Sequence, residues 1–454
     1  MSHVVMARAL FGITLGYHIS YATISVGAPL LILLAEVFSV RTKNQYYRLF
    51  AKRVTLVLVL LVGVGLVTGT TVAVMLSVLW PGFMKTVGQV INLPFQIEVF
   101  AFMLESLFLA IYVYGGDRLS TTARIIASSL VAVGSAMSAL LITDVNAFMN
   151  TPTGFSMQDG QVVNPHPWQA MFNPAMPTEL AHVLVSAYMA VGFVFAAVAA
   201  KGLLKRDASA FEREYHRRTL KMTMSLGGIM AVLTAIVGDL SGKFLAHYQP
   251  EKLAAAEGLF HTVKGAPLVV GGIADPSTQS VVGGLPIPNL LSFLATDRFN
   301  GTVQGLDAFP KDTWPPLVVH VFFDVMVSIG SFSIAVAMVY FIFSWKNKFT
   351  RVPKWLLRVI FVTGFLAMLG VEDGWVFAEI ARQPWMIYGL MTVSQAVTAS
   401  ADVGWMFAGF MSLFTVLLAG TIWALRTYFR HHPLPGPDAA SSDPAKTPTR
   451  EVTA

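Results

Sequence analysis

Apolar positions along this chain come in long unbroken blocks, without the alternation of a half-buried strand or the single stripe of a surface helix. Nine blocks of about 20 residues or more can be drawn, at about 10–38, 53–80, 94–115, 122–143, 180–203, 219–241, 317–344, 354–372 and 403–426, each long enough to cross about 30 Å of hydrocarbon. Lipid offers the backbone no hydrogen-bonding partner, so a crossing block must be helical. The pattern predicts an all-α, polytopic membrane bundle of nine transmembrane helices.

The polar stretches between the blocks are not alike. Arg41, Lys43, Arg48, Lys52 and Arg53 follow the first block; Arg118 and Arg124 flank the turn after the third. Lys201, Lys205, Arg206, Arg213, Arg217 and Arg218 follow the fifth, and Lys346, Lys348, Arg351 and Lys354 the seventh. Thr143–Glu179 holds no lysine or arginine, and the loop after the eighth block holds only Arg382. Short basic loops stay cytoplasmic, which predicts an N-terminus outside and a cytoplasmic C-terminus near Arg426 and Arg430. The chain then divides into six helices (1–241), an extracytoplasmic loop (242–316) too long for a plain connector, three more helices (317–430), and a Pro/Ala/Ser-rich tail (431–454) expected to be disordered.

Composition agrees: 55% of residues are hydrophobic and 12% charged, with a mean hydropathy of +0.63. The basic balance follows from orientation, and no basic stripe with interleaved aromatics points to nucleic acid. The absence of cysteine excludes disulfides, thiolate metal sites and iron–sulfur clusters. The first block is too long for a cleavable signal peptide and lacks a small-residue cleavage site, and no inverted repeat of the transporter kind is visible.

Several polar residues sit where lipid makes them costly. With the predicted orientation, His18, Glu98, Glu105, His182, Met326, Trp375 and Glu379 all fall in the outer half of the membrane. Intramembrane carboxylates are functional candidates by default. Glu98 and Glu105 are seven residues apart, two turns on one face, in a block without lysine or arginine, which resembles a proton relay. Glu372, Trp375 and Glu379 share a face if their helix continues. Each has a plainer reading: an interfacial histidine, a core methionine, loop acids just outside the membrane. Their convergence on one side favours chemistry, and His, Met and Glu ligands in an apolar, cysteine-free setting suit heme. A bis-histidine cytochrome b is disfavoured, since no helix carries two suitably spaced histidines.

From about Arg8 to about Leu425 the chain resembles subunit I of the cytochrome bd quinol oxidases. The segments that carry the likeness are GWVFAEIARQPW, RALFGITLGYH ending at His18, FQIEVFAFMLES, DVNAFMNTPTGF with Asn146, ELAHVLVSAY with His182, GDLSG, QPEKLAAAE and FDVMVSIG with Met326. The resemblance implies three hemes. His182 and Met326 would ligate a low-spin heme b; His18 and Glu379 would each hold one of a high-spin heme b and heme d, in an order left open, with Trp375 beside them. Arg382 would neutralise propionates, Lys252 and Glu257 in the long loop would bind ubiquinol or menaquinol, and Glu98 and Glu105 with Ser106 would deliver protons. It further implies a second integral subunit, a possible single-span small one, and a bacterial inner membrane where dioxygen is reduced to water without a pump. The chain departs from the family pattern at Ala381, where a glycine is usual, at Asp324, where some members carry arginine, in the seven-residue Glu98–Glu105 spacing, and in a shorter loop. Two other readings compete: a proton- or cation-coupled transporter using Glu98 and Glu105, which would be colourless, and a cytochrome that only relays electrons.

Overall fold

The computed structural model describes residues 3–346, 351–400 and 402–434. Lys348 and the tail from residue 435 lie outside the described residues. Among those described, nine helices are long and apolar enough to cross a membrane. In chain order they are His3–Thr42, Gln45–Leu79, Pro81–Gly115, Thr121–Asn150, Met176–Leu204, Ala210–Tyr248, Val319–Lys346, Lys354–Ile380 and Val403–His431, called here the first to ninth spans.

All nine predicted blocks fall on these helices, and nearly every helix outruns its block. Hydropathy marks only the part that needs lipid, whereas a helix continues while its backbone is satisfied. Caps set several starts: Asn44 accepts from the Tyr46 N–H, Ser120 from that of Ala123, and Ser209 with Glu212 forms a reciprocal capping box. Three overruns correct the sequence reading. The sixth span reaches Tyr248, so the long loop begins at Gln249 and not at 242. The eighth reaches Ile380, so Glu372 and Asp373 are helical and not loop acids. The third begins at Pro81, which puts Glu98 near its middle and Glu105 beyond it.

The fifth span is the hub, packed against the first, fourth, sixth and eighth. Small residues allow this closeness, the usual solution where lipid removes the hydrophobic drive between helices. A Cβ on Gly192 would lie 2.6 Å from the Gly227 backbone of the sixth span, and one on Gly364 would lie 2.5 Å from Ala197 Cβ. Around these crossings Phe193, Leu220, Ile360 and Tyr340 are fully buried.

Because spans alternate in direction, the segment between Tyr248 and Val319 lies at the same end as the starts of the odd spans; this is the loop end. The segment is folded. A short helix, Pro250–Ala256, is followed by three antiparallel strand pairs, Val263–Lys264 with Thr302–Val303, Leu268–Val270 with Leu285–Ile287 and Ile273–Asp275 with Ser280–Val282. At the opposite end, Glu36, Tyr112 and Arg124 form a buried trio: Tyr112 donates to Glu36 Oε1 at 2.6 Å and Arg124 Nε to Oε2 at 3.4 Å.

Candidate functional site

The histidines and the methionine singled out by sequence share one setting: each lies against a bare glycine of a neighbouring span. A Cβ on Gly69 would stand 3.0 Å from the His18 ring, one on Gly238 3.6 Å from the His182 ring, and one on Gly374 3.1 Å from Met326 Sδ. Glycine here leaves room for a broad group between helices where another residue would fill it.

One ring has a hydrogen-bond partner. A Thr68 hydroxyl that donates to the carbonyl of Val64 or Gly65, each 3.1 Å away, accepts from His18 Nδ1 at 3.1 Å. In that tautomer the Nε2 lone pair is left for a metal. His182 shows the complementary sign: its Nδ1 is buried without a hydrogen-bond partner. His18 and His182 could each offer a ring nitrogen to a metal held in that space, and Met326 could offer its sulfur beside Gly374.

Glu379 stands at the end of the eighth span with both oxygens engaged. Asn146 donates to Oε1 at 2.6 Å and Arg382 to Oε2 at 2.7 Å. Arg382, only 3% exposed, also reaches Asn146 at 3.3 Å, and its Nε has no partner. These neighbours orient the carboxylate and leave each oxygen one further lone pair. Glu372 accepts from Ser20 of the first span at 2.7 Å, which ties the His18 helix to the one that carries Trp375 and Glu379.

From this knot a polar chain runs into the loop. Asn150 donates to Glu179 and to Asn146, and Gln249 Nε2 donates to the Asn150 carbonyl at 3.1 Å. Next along the chain, Lys252 is buried over the Phe377 ring, 5.7 Å from its centre. Burial pulls its ammonium down to about 8, against the attraction of Glu179 and Glu379. Glu257 is also buried; desolvation, aided by the Asp324 carboxylate, pushes it up to about 8. Sequence reading placed both residues in the long extracytoplasmic loop; that loop folds here into the Pro250–Ala256 helix, which is sunk into the protein and capped by Glu257.

Glu98 and Glu105 lie apart from this cluster, both against the fourth span. Ser138 donates to Glu98 at 2.7 Å, and the Glu105 backbone crosses Gly134. They do share a face. The expectation that both occupy the outer half holds less well, because Gly134 is near the middle of its helix, and Glu105 Oε1 is buried there with no partner. Asn150, Glu179, Gln249 and Thr68 were not predicted. Asn150 and Gln249 are ordinary amides, 99 residues apart, and only Glu179, an acid at a span start, carried a usable signal.

The profile of a family described as cytochrome bd terminal oxidase subunit I matches residues 6–433. The chain belongs to that family. The putative cytochrome bd menaquinol oxidase subunit I of Bacillus subtilis (strain 168) is 44% identical over 434 residues, 96% of this chain and 98% of that protein. The cytochrome bd ubiquinol oxidase subunit 1 of the same strain is 29% identical, over 94% and 91%. A solved bd oxidase from Geobacillus thermodenitrificans superposes with a TM-score of 0.89 at 45% identity, covering 95% of this chain and 99% of that one. This bd-family subunit is thus a multi-pass membrane oxidoreductase, and the nine-helix fold read from hydropathy is the family's own.

Proposed function

We propose that this chain is the heme-bearing subunit of a terminal respiratory oxidase of a bacterial inner membrane, which oxidises quinol at the loop end, taken as the outer face, and reduces dioxygen to water. The observation that carries this reading is the placement of His18, His182 and Met326 against three bare glycines, with Thr68 beside His18 Nδ1. His182 and Met326 would hold the low-spin heme b, and His18 and Glu379 one each of the high-spin heme b and heme d, with Trp375 alongside. When bound, these groups supply one-electron transfer and a binding position for dioxygen.

The chain's own residues do the rest. Lys252 directs its ammonium at a quinol oxygen, a charge-assisted bond strengthened by burial. Glu257, held at about 8, takes a proton from the other hydroxyl and passes it to the outer water; the second proton leaves the Lys252-bound oxygen for the same water, and the two electrons would go one at a time to the heme that His182 and Met326 would hold. Arg382 and Asn146 keep Glu379 oriented. Glu98, Ser138, Glu105 and Ser106 carry protons inward from the opposite side, so release and uptake on opposed faces build a proton-motive force without pumping. A second integral subunit, and a single-span small one, would complete the complex; ubiquinol and menaquinol both fit the chemistry.

The test is a dithionite-reduced minus oxidised spectrum of the purified complex with heme extraction, combined with quinol-driven oxygen uptake. Heme b with a second heme type, and uptake, are expected. A colourless protein would overturn the reading in favour of a transporter, and heme b without uptake in favour of an electron relay.

A further inference from the structure

Glu257 sits at a helix end that is locked from both sides. The Leu259 N–H bonds the Ala254 carbonyl at 2.8 Å and the Gly258 N–H that of Ala255 at 3.3 Å, with Gly258 at φ +62°, the paired closure that ends a helix on a left-handed glycine. That closure leaves the Ala256 carbonyl without a backbone donor. His320 takes it: the ring, fully buried at the start of the seventh span, donates from Nδ1 to Ala256 O at 2.8 Å. On its other side Nε2 faces the Gly271 carbonyl at 3.4 Å and Asp324 Oδ2 at 3.6 Å, and Asp324 accepts the Gly271 N–H at 2.6 Å. One ring thus joins three pieces: the residue before Glu257, the strand-pair region at Gly271, and the span that carries Met326 about 9 Å further along. Val281 presses on the same place, its methyls meeting Gly258, Gly272 and Gly284.

From this geometry we infer that His320 is a positioning residue for Glu257, holding its backbone at a fixed place relative to the Met326 helix so that the carboxyl meets the quinol hydroxyl. The inference rests on the quinol-oxidation reading. It assigns His320 no contact with substrate and no proton transfer.

Three variants of the full complex test it: His320→Asn keeps a donor near the Nδ1 position, His320→Gln moves the donor outward, and His320→Leu removes it. Measured are kcat and KM for a quinol, oxygen uptake driven by a phenylenediamine one-electron donor that bypasses the quinol site, and the heme spectrum. His320→Leu should lower kcat/KM for quinol about tenfold or more, the order expected when a buried carbonyl loses its donor, with uptake from the one-electron donor and the spectrum unchanged. His320→Asn should recover most of the loss, and His320→Gln should not. If His320→Leu does not assemble, the Asn and Gln pair still decides: equal quinol kinetics in both overturns the role. Glu257→Ala runs beside them. If it impairs quinol turnover while His320→Leu and His320→Gln match the native complex, only the positioning role falls; if it too has no effect, the quinol-site reading falls and the inference with it.

Discussion

Two buried clusters of charge, one at each end of the bundle, are built on opposite terms. At the end away from the loop, Glu36, Tyr112 and Arg124 answer one another: both Glu36 oxygens accept a bond, and Arg124 also reaches the Leu119 carbonyl at 3.1 Å. At the loop end, Arg382 and Glu379 are paired too, yet Arg382 Nε, His182 Nδ1 and Asp373 Oδ2 lie buried without partners. Buried polar atoms are nearly always satisfied in folded proteins. The trio closes on itself, whereas the cluster around Glu379 keeps open valences beside the residues proposed to hold a cofactor.

That contrast can be broken experimentally. His182→Ala or Met326→Ala should have the largest effect, abolishing the low-spin heme band and quinol-driven oxygen uptake in a complex that still assembles; a normal reduced-minus-oxidised spectrum would contradict the assignment. Next, Arg124→Met should lower stability by about 3–5 kcal/mol by stranding the Glu36 charge, with turnover per heme unchanged, and combining it with Glu36→Met and Tyr112→Phe should restore most of the loss; thermal unfolding in detergent reads both. Glu257→Gln should then slow quinol oxidation roughly 100-fold, the lower range for losing a general base. With the native carboxyl held at about 8, the charged, proton-accepting form grows as pH rises to that value, while the Lys252 ammonium, also held at about 8, is lost above it, so kcat/KM should rise from neutrality and turn over near pH 8 in the native complex, and only the falling limb should remain in the variant. Smallest of all, Asp117→Asn removes bridges to Arg48 at 2.5 Å and Lys52 at 2.9 Å on exposed side chains, and should cost under about 1 kcal/mol, vanishing at high salt.

The parts of this molecule that lipid makes expensive were legible from sequence. Nine helices follow from apolar length alone, and His18, His182, Glu98, Glu105 and Glu379 stood out because a polar group in hydrocarbon needs a reason. What was hidden depends on partners far away in the chain. Gln249 and Asn150 are unremarkable amides until folding brings them together, and His320 drew no notice in the sequence because its partner, the Ala256 carbonyl, lies 64 residues away. Helix ends were misjudged for a related reason: a glycine and a charge, Gly242 with Lys243 and Asp373 with Gly374, interrupt the apolar run in each case, yet the helices continue to Tyr248 and Ile380.

Where Gly192 meets the Gly227 backbone, the fifth and sixth helices cross backbone to backbone. His182 and Gly238 lie ten and eleven residues from it, about 15 Å along each helix. A methyl added at the crossing would force the two helices apart and widen the space beside the histidine. The grip on a porphyrin, and the temperature at which it is lost, would then be set by two residues that never touch it.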